Sequence, residues 1–508
     1  MQEDNHLELP NNIDECHNLI KELSKKINEL THRLQLLTKQ KYGKKAEDLN
    51  VEQLKIVFEE LKNEYPELDL TQFEEQKIDE VTKVSKTSGG GRRITQSNNK
   101  IETKVITHEL NDESLICPDC QIPRVECGSV TTSELDYIPA KLIILEHKQI
   151  KYACKKCKAS VLLAPKPEMP AIEKGAPSFS LLSNIITSKY ADHLPLYRQE
   201  QIFERLGVSI PRSSMCRWLG VIADKLEPVY NAIKQNILES NVVQADETPL
   251  KYLQEKKAGK ANYGYIWTYI GDKNHNYVAY AFHTDRSGIN PDKFLSTYIG
   301  YLQTDGYTGY NRVNSKDGMK SLACWAHARR KFTEALNNNK VHASYALLEI
   351  GKLYAIERKI KDLDEDEKLK IRKLEAIPIL NSFKEWLIKM KIKYSTNEPF
   401  DKAISYALKY FDKLTVYTEQ GYLSIDNNMA ERNIRPIAIG RKNWMFLGNE
   451  GAGKTFAILS SLVNSCKMND INVYEYIKDA IEKLTINPKV NISELLPLNW
   501  QKNSTKQD

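Results

Sequence analysis

The stretch VVQADETPL, Val242 to Leu250, begins as an apolar run and ends in two adjacent carboxylates, Asp246 and Glu247. A short run with β-branched residues at its start reads as a strand buried in a sheet. Outward from it, YGYIWTYIG (263–271) and NYVAYAFH (276–283) read as two further strands joined by a short polar turn. NPDKFLSTYIG (290–300) has helical character, and YLQTDGYTGY (301–310) is a strand ending at Asp305. SLACWAHARRKF (321–332) reads as a last strand running into a helix. Asp246 and Asp305 are thus each expected at a strand end.

Three strands, a helix and a strand is the order of an RNase H-like mixed sheet, whose first and fourth strands lie side by side. That topology brings Asp246 next to Asp305. Paired carboxylates offer the hard oxygen ligands that Mg²⁺ requires, and a two-metal site needs a third acid. From about Ala328 to Gln420 the chain is helical and rich in Lys and Glu, with no acid in a special context. Then comes SIDNNMAERNIRPIAIGRKNWMFLGN (424–449). Here Asp426 is expected to N-cap a short helix that carries Glu431 and stops before Pro436. Arg432, Arg435, Arg441, Lys442 and Trp444 surround that acid, an environment suited to a polyanionic nucleic acid.

Toward the N-terminus, Ile13, Cys16, Ile20, Leu23, Ile27, Leu30, Leu34 and Leu37 keep a heptad a/d seam. A coiled coil pairing two protomers is the expectation, against one amphipathic helix lying on a core. KTSGGGRRITQSNNK (86–100) has the composition of a flexible linker. Two C-x-x-C pairs follow, Cys117 with Cys120 and Cys154 with Cys157, separated by strand-like segments. Two such knuckles place four thiolates around a structural Zn²⁺ and close a zinc ribbon, with Cys127 or His147 as alternative ligands. The stretch PLYRQEQIFERLGVSIPRSSMCRWL (195–219) reads as helix, turn at Gly207, and a second helix. With Ser209 as its N-cap, Pro211 just inside and Arg212 and Arg217 on it, that second helix is compatible with a helix-turn-helix reader of DNA.

The 508 residues, 41% hydrophobic and 28% charged, have the balance of a multi-domain globular protein. No apolar run reaches the length of a membrane span, and the start MQEDNHLELP has no signal-peptide character, so a cytoplasmic location is expected. A net charge of +6 permits a nucleic-acid partner without demanding one. Nine Cys, four of them in two knuckles, indicate metal binding in a reducing compartment and not a disulfide framework. GNEGAGKT (448–455) satisfies the P-loop pattern, but too little chain follows to supply a parallel sheet with a Walker B acid. The expectation is that its glycines turn the chain out of NWMFL, that Thr455 begins a helix, and that Lys454 meets a DNA phosphate near Glu431.

QADET with Asp246, TDGYTGY with Asp305, CWAHARRKF, and DNNMAERNIRPIAIGRKNWMF with Glu431 closely resemble the bacterial insertion-sequence-66 transposases of the DDE superfamily. The resemblance extends to LLTKQKYGKKAEDL and to the four-Cys module with LDYIPA, and so covers nearly the whole chain. It implies a DNA transposase whose Asp246, Asp305 and Glu431 hold two Mg²⁺ ions for strand cleavage and strand transfer at the ends of the element. The alternative is a DNA-binding derivative without catalysis. Cys324 and His327 match a C-x-x-H signature of several DDE families or are simply a buried Cys and a core His; Glu247 is either a supporting carboxylate or a plain strand-end acid. The implied partners are element and target DNA, a second copy through the coiled coil, and accessory proteins of the same element, in the nucleoid of a bacterial cell and with no membrane.

The expected architecture is a multi-domain α+β chain. It comprises a coiled coil (1–45), a helical segment and linker (46–104), a zinc-binding domain (105–165) and a helical, helix-turn-helix-like region (170–240). An RNase H-like core follows in two parts (241–327 and 421–465) around an all-α insertion (328–420), with a C-terminal helical tail (466–508).

Overall fold

In the computed structural model, which describes residues 107, 140–153, 161–165, 170–172, 177–253, 261–394 and 397–501, VVQADETPL lies in the middle strand of a five-stranded sheet. The heptad segment, the Gly89–Gly91 linker and Cys117, Cys120, Cys154 and Cys157 fall outside the described residues. By contacts the chain divides into residues 67–145 and the remainder, and every element named below belongs to the remainder.

Among the described residues, three α-helices precede the sheet: α1 (Phe179–Ile186), α2 (Leu196–Arg205) and α3 (Arg212–Leu238). Gly207, at φ +86°, supplies the turn between α2 and α3 in a conformation that side chains with a Cβ disfavour. The N-cap position of α3 is Pro211 itself, not Ser209, and no side chain caps it. Instead Glu200 on α2 accepts a hydrogen bond from the Arg212 N–H at 2.8 Å, satisfying one orphan donor from outside the helix. One face of α3 is core: Leu219, Ile222, Leu226, Val229, Ile233 and Ile237 are buried, whereas Arg212 and Arg217 at its start are exposed.

The strands are β1 (Val242–Leu253), β2 (Ala261–Ile270), β3 (Val278–His283), β4 (Gly300–Gln303) and β5 (Met319–Leu322). Their order is β3-β2-β1-β4-β5, antiparallel from β1 to β3 and parallel from β1 through β4 to β5. A short helix, α4 (Ile289–Phe294), lies in the crossover between β3 and β4.

Asp246 is not at the end of its strand, contrary to the expectation. Parallel pairing with β4 stops at Gln244↔Gln303, but β1 continues to Leu253 because β2 still pairs with it as far as Ala261. Beyond Gln244 one edge of β1 is therefore open. Pro249, with no N–H to donate, is tolerated there, and the bridge of Tyr252 to Leu447 closes the far end of that edge.

The helical insertion consists chiefly of α5 (Trp325–Ala335), α6 (Lys340–Lys359), α7 (Ile377–Lys393) and α8 (Pro399–Lys409). Phe332, Phe383, Phe400 and Phe411 pack around Trp325, whose indole N–H donates to the Leu414 carbonyl at 2.8 Å. Arg372, only 2% exposed, donates to Glu357 and to the carbonyls of Tyr417, Gln420 and Leu423. The insertion is thereby tied to the segment that leads back toward the sheet.

Three helices end the described chain: α9 (Asn428–Trp444), α10 (Glu450–Met468) and α11 (Val473–Ile486). α10 covers the edge strand β3. The Ser461 hydroxyl accepts from the Tyr280 N–H at 2.8 Å and the Ser465 hydroxyl from the Val278 N–H at 3.1 Å, so the edge donors are satisfied by side chains and not by another strand. Two helix boundaries differ from expectation. α9 does not stop before Pro436 but runs through it, and Asn427, not Asp426, occupies its N-cap position. Pro436 has no N–H to donate to the Arg432 carbonyl four residues back, and in the same turn the Asn433 carbonyl accepts from the Tyr280 hydroxyl at 2.7 Å. α10 begins at Glu450 and not at Thr455, capped by the Asn449 side chain on the Ala452 N–H at 2.8 Å.

Among the described residues no helix is long and apolar enough to cross a membrane.

Candidate active site

Asp246 sits on β1 two residues beyond the last parallel pair with β4, and Asp305 lies two residues past the end of β4. Two tight contacts hold Asp305 in its turn: its carboxylate accepts from the Tyr307 N–H at 2.8 Å and its carbonyl from the Tyr406 hydroxyl at 3.1 Å. Glu431 is in the first turn of α9, where a carboxylate also complements the helix dipole. Burial, then the charges of Asp305 and Glu247, push the Asp246 carboxyl up to about 8, and Glu431 adds to the effect. Asp305, just past β4, and Glu431, on α9, thus both act electrostatically on Asp246.

A buried polar network sets the relation between those elements. The Gln244 amide donates to the Gln303 carbonyl oxygen at 3.0 Å, and Gln303 donates in turn to the Ser424 carbonyl at 2.8 Å. From the other side, the Ala430 N–H donates to Gln244 at 3.3 Å and the Asn427 amide donates to the Ala245 carbonyl at 3.1 Å. Gln244 and Gln303 each stand two residues before an acid, and all three network side chains are buried. Polar residues inside otherwise apolar strands were the available sequence signal, but their partners are far away in the chain.

Cys324 and His327 both address the Glu431 segment. The Cys324 sulfur accepts from the Asn427 N–H at 3.2 Å, and burial pushes that thiol up to about 12, so it is an inert structural group. His327 Nε2 is 3.7 Å from Glu431 Oε1, and Arg330 is 3.8 Å from Oε2. Burial and the neighbouring Arg330 lower the imidazole below its ordinary range. Glu247 is fully engaged: Arg286 donates to one of its oxygens and the Tyr310 hydroxyl to the other at 3.1 Å.

Of the predicted basic residues, Arg432, Arg435 and Lys442 are exposed on α9. Arg441 instead spans to β1, donating to Thr248 Oγ1 at 3.0 Å and the Pro249 carbonyl at 2.8 Å on the open edge. Lys454, in the second turn of α10, pairs with Glu227 at 2.9 Å. Gly448 to Thr455 cannot wrap a nucleotide phosphate as a P-loop does, because from Glu450 onward its backbone is helical and the Gly453 N–H already donates to Asn449 O.

Whether the acids suit a divalent cation is tested by what they lack. Glu431 Oε1 is buried with no hydrogen-bond partner among the described residues, and burial, then the like charges of Asp305 and Glu247, push the Asp246 carboxyl up. A divalent ion relieves both conditions, so the donor set fits one. Among the described residues, no three or more His, Cys, Asp or Glu side chains stand closed around a metal position as they are.

Comparison with known proteins follows the same division of the chain. The family described as "Transposase IS66 family" matches residues 174–455, which include all three acids. The "zinc-finger binding domain of transposase IS66" matches 114–158, and the "IS66 C-terminal element" matches 461–498. Three proteins of Sinorhizobium fredii (strain NBRC 101917 / NGR234), each named only as uncharacterized, are similar along most of their length. Protein y4jD is 32% identical over 419 residues, 78% of this chain and 80% of its own. Protein y4qI is 29% identical over 503 residues, 95% and 90%, and y4hP is 28% identical over 413 residues, 76% and 74%. With its central half and both flanking modules matched, the chain belongs to the IS66 family of transposases.

Proposed function

We propose that this transposase cleaves the ends of its own insertion sequence and joins them to target DNA at the Asp246–Asp305–Glu431 site. The observation that carries the reading is that the charges of Asp305 and Glu431 both bear on the buried Asp246 carboxyl. These residues would hold two Mg²⁺ ions, which supply charge neutralisation and activation of a water or a DNA 3′-hydroxyl for in-line displacement at phosphorus. The protein's own part is placement. β1 carries Asp246 and the adjoining β4 leads directly into Asp305, the Gln244–Gln303 pair keeps α9 at their side, and His327 and Arg330 flank Glu431. The strand order β3-β2-β1-β4-β5 supports an RNase H-like core, interrupted by an all-α insertion before the third acid.

DNA would run along the exposed Arg432, Arg435 and Lys442, with Arg212 and Arg217 at the start of α3 as a second contact. Lys454 joins them only on release from Glu227. The zinc ribbon on Cys117, Cys120, Cys154 and Cys157 and the N-terminal coiled coil complete the reading, as an end-binding module and a dimerisation element in a nucleoid-associated protein. The test is a strand-transfer assay with Mg²⁺ and the terminal repeats of the encoding element. Asp305→Ala is expected to abolish product, and equal product from variant and wild type overturns the assignment.

A further inference from the structure

Arg286, in the loop after β3, is absorbed by none of the roles above. Its side chain is 43% exposed, yet the carboxylate it pairs with, Glu247, is 1% exposed. Burying a carboxylate is costly unless it is fully satisfied, and Glu247 is satisfied from two sides, by Arg286 and by Tyr310. The guanidinium also lies 3.8 Å from the centre of the Tyr307 ring, and the Tyr307 hydroxyl returns to the Arg286 carbonyl at 2.9 Å. Tyr307 is the residue whose N–H holds Asp305. One segment therefore orients both an acid of the site and this cation.

The arrangement leaves part of the fork over. Nε and Nη2 both point to a single oxygen of Glu247, and among the described residues Nη1 has no hydrogen-bond partner. Arg286 also interacts electrostatically with Asp305, so its charge lies beside the acid pair. A guanidinium held over a ring, anchored at one edge and open at the other, suits the fork geometry by which arginine takes phosphate. An ion pair serving stability alone gains little from an exposed cation.

We propose that Arg286 binds a backbone phosphate of the DNA strand lying across Asp246 and Asp305, with Glu247 as the positioning residue that aims it. This rests on the reading of the site as a DNA strand-transfer centre. The experiment uses the full-length protein and a duplex carrying the terminal repeats of the encoding element, with affinity measured across a series of NaCl concentrations in the absence of Mg²⁺. Arg286→Gln keeps a donor for Glu247 and removes the charge. It is expected to weaken binding about tenfold at ~0.1 M salt and to make the salt dependence shallower by about one. Glu247→Gln retains the cation and is expected to keep the wild-type slope while losing strand transfer. An unchanged slope in Arg286→Gln overturns the proposal.

A second measurement needs no variant. Modification of wild-type Arg286 by an arginine-specific dicarbonyl, read by mass spectrometry, is expected to slow at least severalfold when terminal DNA is bound; equal rates with and without DNA overturn the proposal. Asp305→Ala run alongside separates the two readings, since wild-type product from that variant sinks the strand-transfer centre whatever Arg286 does.

Discussion

Asp246 shows how a single carboxylate records its surroundings. In the unfolded chain it loses its proton near 3.8, whereas burial and the charges of Asp305 and Glu247 hold it protonated to about 8 in the folded protein. Between those values the folded state binds a proton that the unfolded state has released. The contribution of Asp246 to the stability of the metal-free protein is then full below the lower value and is lost as the pH rises through the upper one. Asp246→Asn removes the penalty. It is expected to stabilise the metal-free protein by about 2–3 kcal/mol near pH 8.5, with the gain shrinking toward pH 4. Denaturant titrations of both proteins across that range check this, and a pH-independent difference would count against the like-charge cluster.

At the scale of elements, α10 carries the stretch that most resembles a nucleotide site, and packing explains the pattern. Gly453 is buried where α10 meets β3, and a Cβ there would lie 2.2 Å from Phe282, which itself packs edge-on against Tyr252 on β1. Close helix–strand approach, not access to phosphate, requires that glycine. Gly453→Ala is expected to destabilise the fold by about 1–3 kcal/mol through overpacking. Gly448 has open space around the position of a Cβ, so Gly448→Ala serves as the near-neutral comparison in the same melting experiment. α9 is governed in the same way by its neighbours. Around Pro436 it is held by the burial of Ile437 and Gly440 and by the Tyr280 hydroxyl on the Asn433 carbonyl.

For the whole molecule, the sheet and the helical insertion draw their cores from residues within 177–501, and none of the four paired Cys is among them. A four-Cys zinc module of this size depends on its metal for folding. Chelating zinc from the intact chain is therefore expected to abolish one calorimetric transition and leave the main one within about 2 °C, since even 1 kcal/mol displaces the melting point of a large domain by that much or more. Binding to the terminal repeats is expected to weaken in the same sample. A large downward shift of the main transition would show that the core leans on the zinc module.

Much of this protein is determined by local sequence. Strand runs, the Gly207 turn, the helical insertion and the positions of Asp246, Asp305 and Glu431 are readable because apolar periodicity and turn chemistry act over a few residues. Tertiary structure decided the rest. β1 extends past Asp246 because β2 continues to pair with it, and α9, which passes through a proline, is tied to the sheet there by a tyrosine from β3. Gln244 and Gln303 become a brace between strands only once β1 and β4 adjoin. Arg286 becomes a candidate phosphate ligand only when Glu247 and Tyr307 converge on it. In each case the deciding contact joins residues distant along the chain, and its energy comes from burial and partner geometry that no local window of sequence contains.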